Sequence, residues 1–508
     1  MSRLRVDNNY IALAKFSDDN KLINDYAYIY LKAIDSTKII TVHTADELVK
    51  AIPGRTDIYC YDVRLLRTFM SKYVTSTLKT AADTIVTFNC NLRSNRGSIR
   101  FRDIKALTGT AFQDCVNQTN TSRFYSSYKN KQTQLITELN KVNEFVKDIV
   151  FNIPNLGTTI GNTCVNDFRK CWDNKKYGTI KTNFPNLSME EHVRLCKAYK
   201  GGFNYFKPTR KNKPINVKGY DINSSYLYVL HSSANYVLPK GRGTIMYFSN
   251  LKDLLMYQKK TDSFCIIDLD VEVSKVPTIN WLDLAVNEKT NLMLTLSELL
   301  FMIKHYSITK LAFNNVTVYN RLQSGAFDNY IDKWYSIKQN CSKDNPKRKV
   351  AKLMLNNLTG KFGAAPKYDN GKNNFNLAYV PIAIALTSYA RLRLLQMMYK
   401  YEDKVCYAAT DSCYIEDNDN SIHELESDKL GGWKLEFTGK IKIYGQSKYV
   451  KLSNNEYLLR ASGLPKSVIN TINSVMNRKN EFIPNGTIRY VTINNVDRLS
   501  VAMNYYSF

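Results

Sequence analysis

Short apolar runs broken by polar residues fill the first part of the chain: KIITVH (38–43), TDIYCYDV (56–63), TIVTFNC (84–90) and GSIRFRDI (97–104). Runs of this length, rich in Ile, Val, Thr, Tyr and Phe, read as strands. After them QTQLITELNKVNEFVKDIVFNI (132–153) carries its apolar residues at helical spacing and is expected as a helix. These elements together describe an α/β domain over residues 1 to about 150. A polar, Asn- and Lys-rich stretch from about 161 to 190 reads as a connector, and beyond it strands and helices alternate to the C-terminus.

Three later patterns are more specific. CYAATDSCYIE (406–416) places Ala409, Thr410, Asp411 and Ser412 between two β-forming runs, which predicts a hairpin with Asp411 at its tip. NVKGYDIN (216–223) reads as a strand ending in Asp221, followed by a helix that begins around Ser224, a residue type suited to capping. In KRKVAKLMLNNLTGKFG (347–363), Arg348, Lys352, Asn356 and Gly360 recur every four residues and line one face of a helix, with Val350, Leu353, Met354 and Leu358 largely opposite. Taken singly, each has a plain structural reading. Asp and Ser are ordinary turn residues, Asp before a helix is usually a cap, and a charged stripe is usually a solvated face.

Composition changes the picture in one respect. The chain has 508 residues, which implies two or more domains, and a formal charge of +26 with a pI near 9.4. So large an excess of Lys and Arg points to a polyanionic partner, nucleic acid first; biased host composition is the competing reading, given the abundant Asn, Lys, Ile and Tyr. The 10 cysteines contain no CxxC pair and do not cluster with the 5 histidines, so neither a zinc module nor a disulfide framework is indicated and a reducing cytosol is expected. The amino terminus lacks the apolar core of a signal peptide, and the longest apolar run, AYVPIAIALTSYA (378–390), is too short to span a membrane and contains Pro381. A soluble protein is expected.

The stripe of two cations, an amide and a glycine is what a triphosphate with a base lying over Gly360 would require. The glycine weakens a helix and is unexplained by solvation. Magnesium is held by one or two carboxylates plus substrate phosphates, so Asp221 and Asp411 on adjacent strands suffice to seat it. Two such ions activate a 3′-hydroxyl and stabilise the leaving pyrophosphate. The three patterns therefore combine into a polymerase site.

GYDINSSYLY, AKLMLNNLTGKFG and YAATDS resemble, in order, motifs A, B and C of the family B DNA polymerases, and most of all their protein-primed branch from small linear-genome phages and plasmids. YKGGF (199–203) resembles that branch's YxGG element, and GAFDNYIDKWYSIK (325–338) the segment leading into motif B. The likeness is strong over 199–465 and faint elsewhere.

The resemblance implies an α+β and α/β multidomain chain: a right-hand polymerase of palm, fingers and thumb behind an N-terminal RNase H-like domain of 3′-5′ exonuclease type. The domains implied are 1–160 for that exonuclease-type domain, 161–198 for a connector, 199–435 for palm and fingers with an insertion at about 280–325 resembling the terminal-protein region, and 436–508 for the thumb. Asp221 and Asp411 would be metal ligands, with the backbone carbonyl of Ile222 as a third, holding two magnesium ions for which manganese can substitute. Lys352, catalytic in this reading, would meet the triphosphate with Arg348. Asn356 and Gly360 would line the nucleotide pocket, and Tyr226 would be the steric gate against ribose. Tyr199, Gly201, Gly202, Lys361, Lys448 and Tyr449 would contact DNA, the last two in QSKYVK resembling the KxY element that grips the primer terminus. The partners implied are template and primer DNA, deoxynucleoside triphosphates and a terminal protein as primer, for a monomer in the host cytoplasm, virion packaging being an open alternative.

The departures are informative. Ala409 stands where motif C has its first Asp, Thr359 where motif B has Tyr, and Lys448 adjoins Tyr449 instead of preceding it by two. PKYDNGKNNFNLAYVP (366–381) is short for the insertion that encircles the template in this branch, so high processivity is not implied. In the first domain, VDNNYIALAKF holds no DxE, Leu66 occupies the Asp position of the second exonuclease element in YCYDVRLLRTFM, and Asp148 is the sole candidate survivor of the third. One carboxylate cannot hold two metals; the exonuclease fold is expected without its activity. The alternative to an active, protein-primed polymerase replicating a linear viral or plasmid genome is a degenerate polymerase fold kept as a DNA-binding or virion structural protein. A reverse transcriptase is disfavoured because its paired Asp in motif C is missing.

Overall fold

The computed structural model describes residues 8–15, 28–34, 36–52, 55–61, 63–79, 83–91, 97–112, 115, 132–151, 157–365, 377–423, 426–493 and 496–501. The chain divides into two compact units, Met1–Tyr177 with Phe327–Lys361, and Gly178–Ala326 with Phe362–Phe508.

The first unit is organised by a seven-stranded sheet of β1 (Asn8–Lys15), β2 (Tyr28–Ala33), β3 (Ile39–Val42), β4 (Thr56–Cys60), β5 (Val74–Lys79), β6 (Ile85–Asn91) and β7 (Ser98–Asp103). The order is β3-β2-β1-β4-β7-β6-β5, with β1, β4 and β7 parallel at the centre and antiparallel strands outside. Every residue of β4 is buried, as befits a parallel strand covered on both faces. The apolar pattern predicts β3, β4, β6 and β7; β1, β2 and β5 were not singled out. Ile11, Ile58, Ile99, Phe88 and Phe101 are fully buried, the two rings stacked 4.4 Å apart. The predicted helix forms over Gln132–Phe145 and continues as a π-helical turn, Val146–Phe151.

The stretch expected as a connector folds instead. Residues Ile160–Cys171 form a helix that buries Cys164, Val165 and Phe168, and Phe168 packs edge-on against Trp172 and Tyr330 and stacks on Phe327. Its fully buried Asp167 accepts hydrogen bonds from Lys333 Nζ at 2.7 Å and Trp334 Nε1 at 2.8 Å, from the helix Asp328–Asn340. A core assembled partly from paired polar groups is invisible to hydropathy.

In the second unit, a seven-stranded antiparallel sheet has the order β18-β17-β16-β9-β15-β14-β8, where β8 is Asn204–Phe206, β9 Pro214–Ile222, β14 Val405–Ala409, β15 Ser412–Glu416, β16 Trp433–Gly445, β17 Lys448–Ser453 and β18 Glu456–Ala461. A four-stranded antiparallel sheet follows the order β10-β13-β11-β12, from β10 (Pro239–Met246), β11 (Phe264–Lys275), β12 (Thr290–Thr295) and β13 (Ser307–Arg321). The helix Val380–Lys400 shares one core with both sheets and is buried over almost all of its length. This is the apolar run that falls short of a membrane span, and among the described residues no helix is long and apolar enough to cross a membrane. Pro381 sits in its first turn, where a missing N–H costs nothing. A separate small core joins β17 and β18 to the helix Lys466–Lys479 and to β19 (Ile488–Ile493), which pairs with β20 (Val496–Val501). All ten cysteines are free thiols, seven of them buried and Cys171, Cys196 and Cys341 half-exposed.

Candidate active site

The hairpin forms as predicted. Ala409 pairs with Ser412, leaving Thr410 and Asp411 as the two turn residues. Cys406, Tyr407, Ala408, Cys413, Tyr414 and Ile415 are buried and fix its register. Thr410 takes a φ of +59°, with positive φ at the first turn position only, as in a type II′ turn that normally has glycine there. For a β-branched residue this backbone is strained by about 1–3 kcal/mol. Two contacts hold it: the Thr410 N–H donates to the Phe203 carbonyl at 2.9 Å, and Gly202 has no Cβ, which would lie 2.7 Å from the Thr410 side chain.

β15 lies beside β9, with Ser412 opposite Asp221, and the Ile222 N–H donates to the Asp411 carbonyl at 2.9 Å. Asp411 and the residue that follows Asp221, far apart in sequence, are thus joined through one backbone hydrogen bond. Gly219 on β9 lies under the Tyr414 ring, where a Cβ would come within 2.7 Å of it. After Asp221, Asn223 exchanges backbone hydrogen bonds with Gly431 and Gly432, and its side-chain amide donates to the Asp428 carbonyl at 2.7 Å. The helix Ser225–Leu230 starts where expected, but Ser224 is in the left-handed region at φ +55° and its side chain makes no capping bond. Its place at the helix start was legible; the capping reason was not correct. Tyr226 is half-buried on that helix, and burial, followed by the negative charge of Asp411, raises its phenol above the ordinary value.

Tyr199 and Gly363 meet: a Cβ on Gly363 would lie 2.7 Å from Tyr199 Cζ, so the glycine that closes KFG makes room for the tyrosine of YKGG. Gly201 is exposed, with no described atom within 4 Å of a Cβ there.

In QSKYVK, the alternation along β17 turns Lys448 inward. It is 7% exposed, its Nζ donates to the Ile488 carbonyl at 3.0 Å, and burial lowers its pKa. The expectation that Lys448 faces DNA is therefore corrected. Tyr449 and Lys451 share the other face. The Lys451 ammonium lies over the rings of Phe437, Tyr414 and Tyr449, at 4.8, 5.0 and 6.0 Å from their centroids, and burial holds its pKa below the ordinary value while Asp221 acts in the opposite direction. Reading the parity of the strand would have found Lys451, but which parity faces inward is set by tertiary packing.

The first unit holds Arg348, Lys352, Asn356, Gly360 and Lys361 on the helix Pro346–Phe362. Val350, Met354 and Leu358 are fully buried, while Lys352, Asn356 and Gly360 are exposed, so the amphipathic division holds. No described atom lies within 4 Å of a Cβ built on Gly360; the chain's own packing does not demand glycine there. Arg348 is half-buried and donates to the Lys338 and Cys341 carbonyls at the end of the helix Asp328–Asn340, so the outward cation of the stripe is Lys352. The stem of Lys361 lies against Gly161.

In the first unit the acidic groups are differently placed. Asp57 on β4, 6% exposed in its side chain, is paired with Arg100 at 2.6 Å and Arg102 at 3.5 Å, and Asp103 caps the helix Ile104–Thr108. Leu66 is fully buried among the core residues of this unit, and Asp148 is ion-paired with Lys347 at 2.9 Å. Among the described residues no group of three or more His, Cys, Asp or Glu could hold a metal. Asp62, Val6 and Asp7, and most of the segment 366–381, lie outside the described residues.

Comparison with solved structures places this architecture. Phi29 DNA polymerase in complex with primer-template DNA and incoming nucleotides superposes with a TM-score of 0.72 at 17% identity, over 97% of this chain and 98% of that one. Its complex with single-stranded DNA gives 0.69 over 92% and 94%. The fold is therefore that of a right-hand DNA polymerase with an exonuclease-type domain. By sequence, residues 128–376 match the pattern of DNA polymerase type B, organellar and viral. The DNA polymerase of Bacillus phage Nf is 27% identical over 331 residues, 58% of this chain and 56% of that protein; that of Bacillus phage phi29 is 26% identical over 326 residues, 58% and 55%. The DNA polymerase of Streptococcus phage Cp-1 is 28% identical over 254 residues, 47% and 40%. The matched stretch spans little more than half the length of the first two relatives and 40% of the third. Over residues 128–376 the chain is thus similar to the organellar and viral type B DNA polymerases, the family its ordered motifs resemble.

Proposed function

We propose that the protein is a template-directed DNA polymerase that adds deoxynucleotides to a 3′-hydroxyl, primed by a terminal protein, in the replication of a linear viral or plasmid genome. The observation that carries this reading is the hydrogen bond from Ile222 to the Asp411 carbonyl, which sets the strand end that carries Asp221 beside the hairpin tip that carries Asp411. The donor set suits magnesium: two carboxylates, with the remaining positions left to water and substrate phosphates. Asp221 and Asp411 would hold the metal, joined by the Ile222 carbonyl; manganese can take the same ligands. When bound, the metal lowers the pKa of the attacking hydroxyl and neutralises charge on the transferred phosphoryl group.

The chain's own residues supply position. Tyr226, half-buried and next to Asp411 electrostatically, is the ring that a ribose 2′-hydroxyl would strike. Lys352 offers an ammonium to a triphosphate, and Asn356 and Gly360 leave a flat surface beside it for a base. Tyr199 and Gly201 face template DNA, with Lys361 a further cation for the backbone. Lys451, instead of Lys448, joins Tyr449 at the primer terminus. The absence of Asp at 409 leaves the metal to the two carboxylates retained. In the first unit, Leu66 in the core and Asp148 paired with Lys347 support a fold that has lost proofreading.

The test is primer extension on a templated duplex with deoxynucleotides, in magnesium and separately in manganese, beside Asp411→Ala. Templated extension that the substitution abolishes is expected. DNA binding without extension in either metal would overturn the reading in favour of a repurposed binding protein.

A further inference from the structure

The helix Val380–Lys400 carries an arginine that its apolar surroundings make expensive. Arg391 is 3% exposed and Glu298, the partner of its guanidinium, is 1% exposed. An ion pair this deeply desolvated is weak support for stability, because removing both charges from water offsets most of their attraction. Its geometry gives it another use. The Arg391 Nη1 donates to the carbonyls of Gly201 at 2.7 Å and Lys200 at 3.1 Å, while Nε donates to Glu298 at 3.2 Å. Glu298 is itself fixed in a capping box with Thr295, whose hydroxyl lies 2.7 Å from that of Ser388 on the arginine's own helix. The guanidinium therefore grips the loop Tyr199–Phe203 from beneath by its backbone.

That loop is what restrains the strained turn. Gly202 touches Thr410, and the Phe203 carbonyl accepts the Thr410 N–H. We infer that Glu298 and Arg391 are positioning residues that hold the Lys200–Phe203 backbone so that it clamps Thr410 and aims the Asp411 carboxylate. The inference rests on the reading of Asp411 as a metal ligand. It assigns Gly202 a duty toward the protein, to let Thr410 approach, instead of a duty toward DNA. The guanidinium reaches Glu298 through Nε and Nη2 and the two carbonyls through Nη1, a spread that the compact ammonium of lysine does not reproduce.

The test compares Arg391→Lys and Gly202→Ala in the full chain, with Asp411→Asn as reference, by single-nucleotide extension across a magnesium titration, fluorescence anisotropy on primer-template DNA, and thermal melting. Both variants should require more magnesium for half-maximal rate and lose up to about a hundredfold in kcat, the cost of misplacing a reacting group by about 1 Å. Binding of primer-template DNA should be unchanged. Should Arg391→Lys fail to fold, Gly202→Ala, which leaves the buried pair intact, decides the matter. A wild-type magnesium requirement in the folded variants, with Asp411→Asn inactive, sinks the inference alone; so does a loss of DNA binding equal to the loss of rate. Wild-type extension by Asp411→Asn sinks the polymerase reading itself.

Discussion

Each of the two compact units is built on a seven-stranded sheet, and the two treat carboxylates in opposite ways. In the antiparallel sheet of the second unit, Asp221 stands at a strand end and Asp411 in a strained turn, held by backbone hydrogen bonds. In the first unit Asp57 on the mixed sheet is clamped between arginines, Asp148 on the π-helical turn is answered by Lys347, and Leu66 fills the core. A sheet keeps its shape through apolar packing whether or not its carboxylates remain available. On the proposed function, fold and chemistry are lost separately, and the strained turn stays with the unit that keeps its chemistry.

The sharpest way to break this contrast is at its two ends. Asp411→Asn or Asp221→Asn should lower extension by about 10³-fold or more, the several kcal/mol that a bound metal contributes to transition-state stabilisation. Melting should stay close to wild type, and chelation by EDTA should reproduce the loss in the unmodified protein. An equal fall in melting temperature would mean that these carboxylates are structural after all.

Leu66→Asp is the reciprocal experiment. Burying an unpaired charge in the first unit's core should destabilise it by about 3–5 kcal/mol, read from denaturant unfolding, without any 3′-end degradation appearing. Recovery of exonuclease activity would show that the unit needs only this one carboxylate and end the contrast.

Within the second unit, Tyr226→Val should raise ribonucleotide incorporation by about 10²-fold relative to deoxynucleotides, the range a single steric or methylene-sized change supplies. Tyr226→Phe, which keeps the ring, should leave the ratio where it was. The smallest expected effect separates two neighbouring lysines. Lys451→Met should weaken primer-template binding by about 1 kcal/mol, the scale of a partly desolvated cation and its aromatic neighbours, and lessen its salt dependence. Lys448→Met should instead lower stability and leave binding alone, since its ammonium serves the Ile488 carbonyl.

The site was more legible in the sequence than the fold around it, for definable reasons. The hairpin at 406–416 announced itself because small and Asx-type residues interrupt two β-forming runs, and the stripe on Pro346–Phe362 because helical periodicity is a local property. Lys448 was misjudged because strand parity depends on which face the rest of the sheet covers. The helix Ile160–Cys171 was missed because it buries Asp167 on Lys333 and Trp334, partners that arrive from more than a hundred positions away. Arg391 left no local signal: a cation in an apolar helix, with Arg393 two positions on, looks like a snorkelling surface residue until its carbonyl partners are known.

The distribution of thiols has a practical corollary for anyone who wishes to watch this protein work. Cys406 and Cys413 flank the hairpin tip, but burial raises both thiols well above the ordinary value, and the same cause lifts Cys90 and Cys164 to about 12 and Cys265 to about 11. Burial also raises the thiols of Cys171 and Cys196, but these and Cys341 are half-exposed, so maleimide dyes should reach them and spare the centre. Cys171 and Cys341 belong to one unit and Cys196 to the other, so removing either of the first two leaves one half-exposed thiol on each unit, in an otherwise unmodified protein.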